Sequence, residues 1–167
     1  MSQPDISILL TIIDEAFDHK SWHGTNLRGS IKGLNAVDAV WRPSPKRHNI
    51  WEIVVHTAYW KYVVRRRLLE EQRGSFALKG SNWFERPKDD KDDKDEGAWR
   101  ADVALLTSTH KSLRDAIARL KSSDLRYKPA GSKVTNLELI TGIASHDLYH
   151  AGQIQLLKRL RTKVTDE

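Results

Sequence analysis

His146 and His150 stand four residues apart in a segment whose apolar residues recur at helical spacing, so both rings leave one helix face and can converge on one ion. The spacing alone is a weak signal. Seven histidines scattered at random over 167 residues would give about 0.3 such pairs, and His19 with His23 is a second one. The two pairs differ in the face they occupy. Leu139, Ile143, His146, His150, Ile154 and Leu157 continue one inward stripe, and an imidazole buried there must replace its lost hydration with a partner. A shared metal ion serves both rings. His56 lies on an inward stripe of a different segment, with Ile53, Trp60 and Val63. Taken alone it reads as a core histidine bonded to a carbonyl or carboxylate; taken with the pair it reads as a third ligand. His110, on an apolar seam, ranks fourth, as a ligand or a hydrogen-bonded core residue. His19 and His23, beside Gly24 at the end of the first helical segment, fit capping or substrate contact better than ligation.

Three imidazoles on one ion leave a position for water or substrate, the arrangement of catalytic zinc rather than structural zinc. Bound zinc brings water towards a pKa of about 7 or holds a thiol as thiolate, and the ligand set does not choose between these nucleophiles. Zinc and nickel rank first among the divalent ions that imidazole suits. Ligating histidines pass their second N–H to a carboxylate or carbonyl, and Glu52 and Asp147 are the candidates. Glu52 also suits a helix cap, and Asp147 a solvated face. Gln153, one turn after His150, would orient a water or substrate, or make a polar contact within the bundle. Trp22, Trp60, Trp83 and Phe84 would wall an entrance or pack. No general base stands out.

The elements that must position these residues are helices. Pro4 and Asp5 open an amphipathic stretch carrying Ile6, Leu9, Leu10, Ile13 and Phe17, which predicts a helix over 5–19. Glycines, Pro43 and Pro45 between residues 21 and 48 predict loops around one or two helical turns. Asn49 with Glu52 forms a capping box for a helix over 50–72. Gly74, Pro87 and the charged run from Asp89 to Glu96 make a long polar crossover. Trp99, Val103, Leu106, His110, Leu113, Ile117 and Leu120 alternate steps of four and three, the mark of a bundle seam. Thr135 and Glu138 cap a last helix reaching about residue 160. Four long helices without a convincing strand predict an all-α four-helix bundle, in one domain over 1–167. The three longer helices, each above twenty residues, would run about 30 Å or more and leave room for a polar site.

Three blocks in this order, WHG at Trp22 to Gly24, NIWEIVVHTAYW at Asn49 to Trp60, and HDLYHAGQ at His146 to Gln153, resemble the DinB-like family of metal-binding four-helix proteins, which is unrelated to the polymerase of similar name. The resemblance covers essentially the whole chain. It implies His56, His146 and His150 as ligands of one divalent ion, the same three that the stripes single out. It also implies a bundle in up, down, down, up order, with 74–97 as a long crossing, and a homodimer. Members are described as metal-dependent hydrolases, and some relatives use a low-molecular-weight thiol in transferase or isomerase chemistry.

Composition narrows the rest. Without cysteine there are no disulfides and no thiolate ligands. No apolar run approaches the roughly 18 to 20 residues that cross a bilayer, and no signal peptide opens the chain, so a soluble cytoplasmic protein is expected. The net charge of +6 is spread along the chain rather than gathered in one tract, which ranks nucleic acid low among partners. The leading expectation is a metal-dependent enzyme acting on a small-molecule substrate by hydrolysis or thiol transfer. The alternative is a metal-binding or stress-response bundle without turnover.

Overall fold

The computed structural model describes residues 3–87 and 95–165; the larger part of the acidic run in the crossover, from Asp89 to Lys94, lies outside the described residues. The described chain is all-helical, with six α-helices and no strand. These are α1 (Pro4–Phe17), α2 (Leu27–Ile31), α3 (Ala36–Val40), α4 (Ile50–Leu68), α5 (Glu96–Ala118) and α6 (Asn136–Thr165), with a 3-10 turn at Ser122–Arg126. Among the described residues no helix is long and apolar enough to cross a membrane.

Capping explains where most helices begin. Pro4 sits in the first turn of α1, where its missing N–H costs nothing, and Asp5 meets the positive end of the helix. Asn26 and Asn35 cap α2 and α3, the two short helices in the glycine-containing stretch. Asn49 accepts from the Glu52 backbone N–H at 2.7 Å while Glu52 Oε2 accepts from the Asn49 N–H at 3.4 Å, a reciprocal box that sets the first residue of α4. Thr135 and Glu138 make the same exchange ahead of α6.

Two helix ends fall short of expectation. α1 stops at Phe17 rather than residue 19, because Asp18 leaves helical conformation and the N–H groups of both Asp18 and His19 bond to the Asp14 carbonyl. α4 has 19 residues rather than more than twenty. Glu70 turns into the left-handed region at φ 53°, and the Glu71 N–H then reaches the Arg66 carbonyl at 2.9 Å while the Glu70 N–H reaches that of Arg67. This is the 6→1 and 5→2 closure that usually uses glycine.

α4 packs against α5 and α6, and α1 packs against the same two helices. One apolar cluster gathers Trp51, Ile53, Leu106, Phe17 and Ile154; a second gathers Ile13, Val64, Leu113, Ile117 and Ile140. Fully buried leucines and isoleucines such as Leu106 and Ile117 each contribute about 1.5–3 kcal/mol. His56 on α4 and His146 and His150 on α6 fall between residues of the two clusters in sequence. The crossover is tied down beside them. Asp102 on α5 accepts from Trp51 Nε1 at 2.8 Å and from Arg86 Nε at 2.6 Å, and the Arg86 carbonyl accepts from Asn49 Nδ2 at 2.7 Å. Those bonds hold the 81–87 segment over α4.

Candidate metal centre

α4 contributes His56 and α6 contributes His146 and His150, spaced one turn apart so that their rings meet in a T at 4.3 Å between centroids. His56 Nε2 lies 3.1 Å from His146 Nε2, and His150 Nε2 lies 3.0 Å from the same atom. The three rings supply one ligand atom each within 4.8 Å of one another, and His56 and His150 are buried.

The outer nitrogens fix the protons. His56 Nδ1 donates to the backbone carbonyl of Asn82 at 2.8 Å, and His150 Nδ1 donates to Gln153 Oε1 at 2.7 Å. Gln153 Nε2 in turn donates to the Tyr149 hydroxyl at 3.0 Å. A carbonyl oxygen only accepts, so each of these neutral rings carries its proton on Nδ1 and a lone pair on Nε2. Two lone pairs therefore point at His146 Nε2, which can return a proton to one of them at most. His146 Nδ1 is itself buried with no hydrogen-bond partner. Burial, followed by the neighbouring imidazoles and Lys61, pushes His146 down to about 3. Burial and then His56 push His150 down to about 4, and burial lowers His56. All three are neutral at neutral pH, and with one N–H at most among the converging Nε2 atoms they cannot satisfy one another. A cation fits this arrangement: two imidazoles at about 2.0–2.1 Å on a tetrahedral ion place their nitrogens about 3.3 Å apart, close to the separations found here.

Other expected site residues take different partners. Glu52 accepts from Arg42 at 2.6 and 2.9 Å and from His48 Nδ1 at 2.9 Å, besides its capping bond, and none of its bonds goes to His56. Burial favours its neutral form, but the bonds from Arg42 and His48 outweigh that and hold its carboxyl below the usual range. Asp147 has no bond to the three imidazoles and instead enters a fully buried pair with Lys61 that joins α6 to α4. His23 is exposed on the loop after α1 and outside the imidazole cluster. His110 is also outside it; its ring stacks on Phe17 at 3.7 Å, with Asp14 at 4.0 Å. His19 Nδ1 bonds Asp18 at 2.7 Å.

Of the aromatics, Trp22 is fully exposed and Phe84 is core. Trp83 stacks in parallel on His56 at 3.8 Å and on His48 at 3.6 Å. Trp60 lies edge-on to His56 and to His146 at 6.4 Å, and its Nε1 donates to Asn82 Oδ1 at 3.0 Å. Asn82 thus braces two site residues at once, from the left-handed region (φ 62°) that asparagine tolerates better than most residues. Sequence reasoning missed Asn82 and Lys61. Lys61 had a visible signal, a lone cation at the i+4 position of the buried run Thr57, Lys61, Val64, Leu68; Asn82, in an irregular crossover, had none.

Two clefts flank the cluster without being lined by the three histidines. One of about 740 Å³ has Trp60 in its wall, and one of about 670 Å³ has Trp83, His48 and Glu52 in its wall. The indoles stand between these clefts and the imidazoles.

The family model of the DinB superfamily matches residues 21–154, well over half of the chain, and spans all three histidines. No curated protein and no solved structure matches the chain. With the three imidazoles brought together inside the matched region, the chain belongs to the DinB superfamily.

Proposed function

We propose that this chain is a single-domain metal-dependent enzyme for a small-molecule substrate, with one divalent ion, zinc or nickel, held by His56, His146 and His150. Its reaction is hydrolysis or transfer to or from a low-molecular-weight thiol. The observation that carries the reading is the convergence of three Nε2 atoms, two of them with lone pairs fixed by Asn82 and Gln153. A bound ion supplies Lewis acidity and lowers the pKa of a water or thiol. The chain's own residues hold the imidazoles in register through the Asn82 carbonyl and the Gln153 amide, while Trp60 and Trp83 limit water around them.

The contacts also support a four-helix bundle in up, down, down, up order. Trp51 meets Trp99 and Asp102, so α4 and α5 start together. Asp14 and Phe17 near the end of α1 meet Arg114 and His110 in the second half of α5, while α4 and α6 pair His56 with His150 and Lys61 with Asp147 in opposite senses.

A second reading, an ion that organises the bundle without turnover, is favoured by one observation: the nearby carboxylates of Glu52 and Asp147 are both committed to cations. Calorimetric titration of untagged, metal-stripped protein with zinc or nickel tests the first step. One ion per chain is expected, with binding weakened at least about a hundredfold in His150→Ala. Unaltered binding in that variant would sink both readings. Turnover in a screen of thiols with electrophiles, alongside simple esters and amides, separates the first from the second.

A further inference from the structure

We infer that the cleft between the second half of α4 and the 73–81 segment binds a small organic anion carrying a flat apolar group. Its volume of about 740 Å³ is within the usual span for small-ligand sites, roughly 300–1,000 Å³. Its walls and its charge point to one class of ligand.

Tyr59, Tyr62 and Phe76 line it, with Tyr59 and Tyr62 each 5.3 Å from Phe76, so part of the wall is a continuous aromatic surface. Arg66, Arg67, Arg73 and Lys79 line it as well, and among the described residues no aspartate or glutamate does. The nearest carboxylates along the chain are committed elsewhere. Glu71 holds Arg65 through two bonds of 2.5 and 2.8 Å, and Glu70 accepts from the Tyr127 hydroxyl at 2.7 Å. Among the described residues the Arg66 side chain donates only to the Glu71 backbone carbonyl, and the side chains of Arg67, Arg73 and Lys79 make no hydrogen bond or ion pair.

The negative end of the α4 dipole accounts for arginines in its last turn. It does not account for Arg73 and Lys79, which come after the helix and share the same cleft. Four cations around one concavity repel each other, and an anionic group there removes that cost while pairing with guanidinium forks. Aromatic walls beside it suit a planar apolar portion. Trp60 and Ser81 line the cleft too: Trp60 touches His56 and His146, and Ser81 precedes the Asn82 that holds the His56 proton. On the metal reading above, the cleft is a recognition pocket beside that site, holding the charged end of a substrate on the far side of Trp60 from the imidazoles.

Fluorescence titration with 1-anilinonaphthalene-8-sulfonate, against its uncharged analogue N-phenyl-1-naphthylamine, tests the assignment on the zinc-loaded full chain. The sulfonate should bind saturably, one per chain, and weaken with added salt. The double substitution Arg67→Gln with Arg73→Gln should raise its Kd about tenfold or more and leave the neutral probe within about twofold. Lys79→Gln, at an exposed loop position, repeats the test with no helix residue altered. Unchanged sulfonate affinity in both variants, or equal loss for both probes, would overturn the inference. Zinc titration of the same variants keeps the two readings apart. Intact zinc binding without charge-dependent sulfonate binding removes the cleft alone; lost zinc binding with charge-dependent sulfonate binding removes the metal centre alone.

Discussion

Gln153 reaches no ion, yet its amide oxygen decides which nitrogen of His150 keeps the proton. Replacing it with an apolar side chain removes the acceptor that favours the Nδ1–H tautomer and lets the ring rotate. Second partners of ligating histidines are commonly worth about 10–100-fold in metal affinity. Gln153→Leu should therefore weaken zinc binding by that order while leaving the unfolding midpoint of metal-free protein nearly unchanged, because Gln153 is only half-buried and its one other bond is to the exposed Tyr149 hydroxyl. Gln153→Glu, whose carboxylate also accepts, should keep affinity close to that of the parent. Competition with a chromophoric chelator reads both. At this scale His56, His146 and His150 were legible because each replaces an apolar residue on an inward stripe. The bonds that orient them were not: the Asn82 carbonyl comes from an irregular segment, and no residue type predicts a backbone acceptor.

α4 and α6 carry the ligands, and what fixes one helix against the other is the pair Lys61 and Asp147, both fully buried. Burial pushes the lysine down and the aspartate up, each towards its neutral form, while their mutual attraction opposes both shifts. Lys61 also stands 4.9 Å over the Phe17 ring, which brings α1 into the same contact. Removing one partner strands the other charge, a loss on the order of 3–5 kcal/mol, whereas replacing both with apolar residues of similar volume costs far less. Asp147→Ala alone should reduce unfolding free energy by about that amount; Lys61→Met with Asp147→Leu should recover most of it, as denaturant titration would show. Equal losses in the two proteins would mean that the helices are registered by apolar packing alone. Helix existence and caps were readable because Asn49 with Glu52 and Thr135 with Glu138 are local signals. Helix ends were less so. Glu70 takes a left-handed turn usually given to glycine, and the resulting early stop of α4 is carried by backbone bonds that side-chain pattern does not encode.

Over the whole molecule, the histidines make the metal-free protein sensitive to acid, and His110 isolates the effect from the ligands. Its ring is buried against Phe17 and its Nδ1 has no partner. Burial first, then Lys61 from α4, Arg114 from α5 and His19 beyond α1, push it down to about 2, against the pull of Asp14 of α1 at 4.0 Å. In the unfolded chain it takes up a proton below about pH 6.5. The folded value is the lower one, so its contribution is complete above about 6.5 and is lost as pH falls, at roughly 1.4 kcal/mol per pH unit once the unfolded form is charged. His146 and His150, lowered to about 3 and 4, act in the same direction in the metal-free state, and protons added to a chain already at +6 increase its self-repulsion. Urea unfolding of metal-free protein between pH 7 and 5 should show stability falling steeply with acid. His110→Phe keeps a ring against Phe17 and removes the unsatisfied nitrogen, so it should be at least as stable as the parent at pH 7 and lose stability less steeply below about pH 6, by about one proton's worth of slope. Identical slopes in the two proteins would mean that His110 binds its proton equally well folded and unfolded, and the acid sensitivity would then belong to the metal-site imidazoles.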